Sequence, residues 1–255
     1  ISITGFGSTA GTTTGNSGVI VNTDASVVST GSAKITINGT GGSGTSFNVG
    51  FSVQNDNALV SSAGGDISII GMGGAATTTS NVGILAGNGA RVQATGGAKI
   101  GLNGTGGTGT SFLFGVSIGG FNPTTLVPTT ITSDSGDITI TGFGGTGSGF
   151  GQIGVNTANG GQIIAANAAK ITIAGTGSTG TSDNYGVGFD GANVAGTKVQ
   201  SANGNIDITG TAGTSAGTDM DGVRFENSLG AQPVSIVTTG SGQLTVTGTA
   251  GNADP

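Results

Sequence analysis

Cysteine, histidine and tryptophan are absent from this 255-residue sequence, tyrosine occurs once, and only 7% of the residues are charged. Without cysteine there is no disulfide framework and no thiolate metal site. Lacking both histidine and cysteine, the chain is without the commonest general base and the commonest soft nucleophile, which argues against an enzyme. Six Lys and Arg against twelve Asp and Glu give a net charge of −6. No basic face is left to neutralise phosphates, so neither nucleic acid nor an anionic membrane surface is an expected partner. No apolar run approaches the roughly 18 residues of a membrane span. The sequence opens at Ile1 with neither Met nor a signal-like segment, and reads as a processed product or an excerpt of something longer.

What is present is glycine, 56 residues of it, together with 34% hydrophobic residues in which Ile and Val are prominent. That much β-branched apolar surface argues for burial rather than disorder. One phrase recurs eight times: apolar, spacer, apolar, spacer, Gly. The copies end at Gly5, Gly39, Gly71, Gly104, Gly142, Gly175, Gly210 and Gly248, at spacings of 32 to 38 residues. A repeat of that length with slack loops is the signature of a solenoid.

Two further short apolar stretches recur between signatures. The first alternates with period 2 and places Val19 and Val21, Phe51 and Val53, Ile84 and Ala86, Val116 and Ile118, Val187 and Phe189, and Val223 and Phe225 on one face. The second offers one apolar residue per coil: Val27, Leu59, Val92, Ile131, Ile163, Val199 and Ile236. Three strands per coil, no helical periodicity and Gly-rich corners predict an all-β fold, a right-handed parallel β-helix of about seven coils over residues 1–255 as a single domain. Strand spacing makes this a rod on the order of 35 Å long. The signature residues Ile35, Ile67, Ile100, Ile138, Ile171 and Ile206, with Ile37, Ile69, Leu102, Ile140, Ile173 and Ile208, are expected to stack inside as its core.

The residue before each signature alternates Lys34, Asp66, Lys99, Asp137, Lys170, then Asn205 and Gln243, a column holding half of the six basic residues. Stacked on the outer face, it reads as a register-setting charge ladder, not a catalytic Lys/Asp site.

Motifs that tempt a functional assignment are accounted for by the repeat. Strand followed by GxGxxG occurs at Gly39/Gly41/Gly44, Gly104/Gly106/Gly109, Gly142/Gly144/Gly147 and Gly175/Gly177/Gly180. A dinucleotide site needs one such turn opening a helix. Here each leads to another strand, and the glycines are read as corners with φ > 0. The runs Gly41–Thr45 and Gly106–Thr110 approach a calcium-binding GGxGxD nonapeptide, but Thr stands where calcium wants a carboxylate. Asp190, Asp207, Asp219, Asp221 and Glu226 cluster late in the chain without an evident aromatic or basic sugar platform, and Asp219 and Asp221 share one loop. Outward signature pairs such as Thr139/Thr141 suggest an ice-ordering Thr array, but Gly101, Ile70 and Asp207 interrupt it. Asn38-Gly39-Thr40 and Asn103-Gly104-Thr105 are glycosylation sequons that the NGT turn chemistry itself explains. No catalytic, cofactor-binding or metal-ligating residue is assigned, and no cofactor is expected.

The phrases AKITINGTGG, GDITITGFGG and GNIDITGTAG, with no Cys and a variable coil length, resemble the β-strand repeats of large bacterial surface proteins, the filamentous-haemagglutinin-like adhesins and autotransporter passengers. The resemblance implies an extracellular or cell-surface structural or adhesive shaft, with possible glycan partners; a ligand-binding β-helix for ice or glycan is the alternative. The coil of about 33 residues is longer than is usual in such shafts, and no functional residues carry over. Longer coils, at Gly119 to Thr130 and Glu226 to Pro233, are the expected places for a binding patch. Both ends of the sequence fall in a signature strand without a cap, so the expected partner is self, as flanking coils or as an end-to-end filament.

Overall fold

Alternating Ile and polar residues favour a strand with one buried face, and the glycine that follows allows the chain to turn for the next side of a coil. In the computed structural model, which describes residues 1–119, 127–191, 196–214, 218–228 and 232–251, this happens in every coil. Among the described residues there is no helix, and hence none long and apolar enough to cross a membrane. All sheet pairing is parallel, and each strand pairs with its equivalents one coil before and after. The chain is a parallel β-helix of seven turns.

Sheet 1 carries eight signature strands, from Ser2–Phe6 through Ile35–Thr40 to Leu244–Thr249, with all eight signature glycines in register. Sheets 2 and 3 contribute seven strands each, exemplified by Val116–Gly119 and Thr130–Ser133. A fourth set of two-residue strands, such as Thr108–Gly109, joins four successive coils. The predicted Ile columns are all buried to 2% exposure or less and form one continuous core with the inward residues of sheets 2 and 3. Full burial of such a side chain contributes about 1.5–3 kcal/mol, so this repeated stack is the principal source of stability.

One inward assignment needs correction, and one inward residue is less covered than the rest. In the second coil the core residue of sheet 3 is Val60, fully buried and aligned with Val27 and Val92, whereas Leu59 sits one residue off, level with Ser26 and Arg91. A one-residue slip moves a strand residue to the other face, and apolar character alone did not distinguish the two neighbours. Phe225 lies in its inward column and stacks on Phe189, ring centroids 5.3 Å apart and 9° from parallel, yet it is 47% exposed because it belongs to the outermost described coil.

The glycines also differ in role from the corner reading. None of the glycines in the four GxGxxG runs has positive φ. The left-handed positions are mostly taken by residues other than glycine, most often Asn and Asp, as at Asn55, Asn57, Asn88 and Asn159, whose short polar side chains tolerate that region. The glycines of these runs are needed for space: the first two of each run lie against the returning backbone of their own coil, and the third against the preceding coil.

The Lys/Asp column forms as expected. Lys34 Nζ lies 3.6 Å from Asp66 Oδ2, and Lys99 Nζ 3.7 Å from Asp137 Oδ2. Each aspartate also accepts a hydrogen bond on Oδ1 from the backbone N–H of the next rung, Lys99 or Lys170, at 3.0 Å. That backbone hydrogen bond, with Lys34 assisting against slight desolvation, holds the Asp66 carboxyl below its usual range. A depressed native value means that the stabilisation is present above the unfolded carboxylate value, about 3.9, and is lost as pH falls through the native one. At so exposed a site the effect is small, below about 1 kcal/mol. Asp66→Asn is expected to lower stability near neutrality by less than about 1 kcal/mol and to flatten the part of the acid limb that this group contributes, so that variant and wild type converge at low pH, as read by urea denaturation between acid and neutral pH.

Candidate functional site

After each signature glycine the chain leaves the triangular core, runs out as a narrow arm, and returns to enter sheet 2. Out-going and returning backbones touch: a Cβ on Gly41 would lie 2.2 Å from the Asn48 carbonyl oxygen, and one on Gly106 would lie 2.4 Å from that of Leu113. On the returning limb one residue per coil is left-handed: Gly15, Phe47, Ser80, Phe112, Gly151, Asp183 and Asp219, with φ between 56° and 82°. The next residue turns into the arm, giving the column Asn16, Asn48, Asn81, Leu113, Gln152, Asn184 and Met220.

The amides of this column bond from coil to coil. Asn81 Oδ1 accepts from the Asn48 backbone N–H at 3.0 Å, while Asn81 Nδ2 donates to the Thr108 carbonyl at 2.9 Å. Asn48 and Asn184 repeat the oxygen contact to Asn16 N and Gln152 N. Asn48, Asn81, Gln152 and Asn184 are fully buried. Gln152 is one atom too long for the column: its Nε2 reaches the Thr110 carbonyl, and its Oε1 has no partner. In the sequence the only trace of this ladder is Asn at positions 16, 48 and 81, outside the repeated signature phrase.

The left-handed residue before each rung projects outward. For a bulky L-residue that conformation costs on the order of 1–2 kcal/mol, yet Phe47 and Phe112 adopt it and stay 53% and 40% exposed. With Phe114 and Phe150 they line one wall of a groove between the arm and the outer face of sheet 2. The Phe112 ring meets Phe150 edge-on at 4.8 Å and Phe114 at 6.0 Å. Toward later coils the groove opens into a cavity of about 390 Å³ bounded by Phe150, Tyr185, Asn156, Asp183, Asp190 and Glu226. Gly188 contributes the depression in its floor, since a Cβ there would come within 3.3 Å of the Tyr185 ring and 3.5 Å of Asn156 Oδ1.

Arg224 organises the far end. Its Nη1 lies 2.8 Å from Asp219 Oδ1 and 3.6 Å from Asp221 Oδ2, its Nε is 2.9 Å from Glu226 Oε2, and its guanidinium carbon stands 4.9 Å from the centre of the Tyr185 ring. Burial works against the guanidinium charge, but the Asp219 hydrogen bond and the surrounding carboxylates outweigh it and raise its proton affinity above the ordinary value. The Tyr185 hydroxyl donates to Asp183. Burial, followed by that hydrogen bond and the Asp183 charge, pushes the phenol upward, so it remains protonated. Asp190 accepts from the Ser228 N–H at 2.9 Å and from its hydroxyl.

Of the late acidic residues, Asp190, Asp219, Asp221 and Glu226 come together here, whereas Asp207 lies on the outer face of sheet 1 between Thr172 and Thr245. Aromatic and basic groups do lie beside these carboxylates: Phe112 and Phe150 are exposed along the groove, Tyr185 is buried in it, and Arg224 stands over the Tyr185 ring. Asp219 and Asp221 serve Arg224, and among the described residues no group of three metal-ligating side chains occurs. Of the two long coils, residues 120–126 and 229–231 lie outside the described residues, whereas Glu226 and Ser228 stand at the far end of the groove. No protein-family model, curated protein or solved structure matches this chain.

Proposed function

We propose that the chain is a non-enzymatic adhesive segment of an extracellular bacterial surface protein or fibre: a β-helical shaft that displays the arm groove as its recognition surface. The observation that carries this reading is the outward placement of Phe47 and Phe112 in a costly backbone conformation, where Ser80 occupies the same column one coil away. Strain of this kind is kept where a side chain must face a ligand. The non-enzymatic part rests on the state of the polar groups. Arg224 is engaged by three carboxylates, Asp190 is held by Ser228, and the Tyr185 phenol is tied to Asp183 and held protonated.

Self-association fits the same reading. Among the described residues Ser2–Phe6 and Leu244–Thr249 each pair on one side only, so further coils, of this chain or another copy, would meet the backbone groups they leave open. The ice reading is disfavoured by the outer columns of sheet 1, where Gly101 leaves a gap between Ser68 and Thr139, and Ile70 and Asp207 break the hydroxyl rows.

Beads coated with the purified chain and flowed over cultured epithelial cells test the adhesive role. Retention under shear is expected. The pair Phe47→Ser and Phe112→Ser is expected to reduce it several-fold without changing the circular dichroism spectrum. Wild-type beads that wash off like uncoated ones would show that the shaft is not adhesive.

A further inference from the structure

The groove is long, aromatic along one wall and acidic at one end, and these three properties together specify a ligand. Phe112, Phe150, Tyr185 and Arg224 lie in four successive coils, each about 4.8 Å further along the axis. That rise is comparable to the repeat of an extended pyranose chain, so successive sugar rings meet successive coils. A pyranose presents an apolar face of C–H groups and a rim of hydroxyls. Phe112 and Phe150, 40% and 42% exposed, offer apolar faces for the first, with the buried Tyr185 ring behind them under Arg224, and Asp190, Glu226 and Asn156 offer hydrogen-bonding groups for the second.

The polar groups are not all satisfied internally. Asn156 makes no side-chain hydrogen bond among the described residues. Glu226 uses only Oε2 for Arg224, leaving Oε1 open. A hydroxyl-rich ligand matches that mixture of an amide and an open carboxylate oxygen, and charge-assisted hydrogen bonds to carboxylates are among the stronger ones.

Charge then narrows the class. Asp183, Asp190, Asp219, Asp221 and Glu226 surround a single cation, Arg224, which is already engaged by three of them. The local field is negative and no basic group remains to receive an anion. Uronates, sialylated chains and sulfated chains would be repelled. We propose that this groove binds a neutral polysaccharide, of hexose or N-acetylhexosamine units, laid parallel to the helix axis over the coils of Phe112 to Glu226. The proposal rests on the adhesive reading and assigns it a ligand.

The only tyrosine in the sequence is Tyr185, and there is no tryptophan, so intrinsic emission reports on the groove alone. Neutral β-linked glucose and N-acetylglucosamine oligomers, from dimer to hexamer, titrated into the full chain should change that emission saturably. Affinity should grow with length until the groove is filled. Galacturonate oligomers of equal length are expected to bind at least tenfold more weakly. Phe112→Ser should weaken the best neutral ligand about tenfold or more while melting is unchanged, and Tyr185→Phe, followed by calorimetry, should retain most of the binding. No saturable response to any neutral oligomer overturns the proposal, as does a preference for uronates or for a lysine-rich peptide. If neutral oligomers fail while coated beads still adhere, the glycan assignment falls and the adhesive reading stands. Saturable binding by beads that do not adhere reverses that outcome.

Discussion

Gly142→Ala is expected to destabilise the chain by more than about 3 kcal/mol, the upper part of the range for overpacking a rigid interior. Gly142 is the buried, inward last glycine of a central signature, and a Cβ there would lie 2.0 Å from the Gly154 carbonyl oxygen and 2.8 Å from Val155 Cγ2. The obstructing atoms are mainly backbone, and Gly154 cannot withdraw: a Cβ on it would in turn meet Thr176 N at 2.3 Å, so it is hemmed in by the next coil. Relief therefore requires sliding one coil over another and breaking sheet hydrogen bonds. Because each coil contacts only its neighbours, the damage should be local, and urea unfolding should separate into two phases as the coils on either side uncouple. Gly97→Ala is the control: nothing lies within 4 Å of a Cβ there and φ is not positive. That variant should be neutral or more stable by up to about 1 kcal/mol, through its effect on the unfolded chain. If both variants melt alike, the close approach at Gly142 is not what the glycine is for.

The contrast between these two glycines shows which parts of the structure were legible in the sequence. A residue type repeated at one point of every coil, as at Gly142 or Ile140, announces a column whose neighbours are copies of itself, so the core and register could be read directly. The physical purpose of the glycine was less visible, since close approach and positive φ select the same residue. Leu59 and Val60 are equally apolar neighbours, and only the pairing of Val60 with Val27 and Val92 shows which of them faces the core. The groove was harder still. Phe112 lies on the left-handed column, Phe150 one residue before it, and Tyr185 two residues after it. They share no repeated phrase, and they converge only because the arm folds back along sheet 2. Arg224 likewise belongs to the outer column of sheet 2, level with Gly188. A site assembled from four unrelated columns leaves no periodic trace.

Asn81 is where the polar interior of the arm can be separated from its packing. Asn81→Ala removes the acceptor for Asn48 N and the donor for Thr108 O in a fully buried place. Each orphaned buried group costs about 1–3 kcal/mol, so a loss of about 2–4 kcal/mol is expected. Asn81→Leu restores volume, and Leu113 already fills the next rung, but the two backbone groups remain unpaired; this variant should fall between alanine and wild type. Asn81→Asp preserves shape and acceptor while its second oxygen faces the Thr108 carbonyl, so a proton is needed there to mimic the amide. Burial and that carbonyl both raise the carboxyl's native proton affinity above its unfolded value. Stability of this variant should therefore be greatest below the unfolded carboxylate value of about 3.9 and decline as pH rises through the raised native one, the reverse of the slope contributed by Asp66. Urea denaturation of wild type and the three variants between acid and neutral pH reads all of this. A leucine variant as stable as wild type, together with an aspartate variant showing no added pH dependence, would mean that the arm is held by packing alone and that its amide ladder carries no stability.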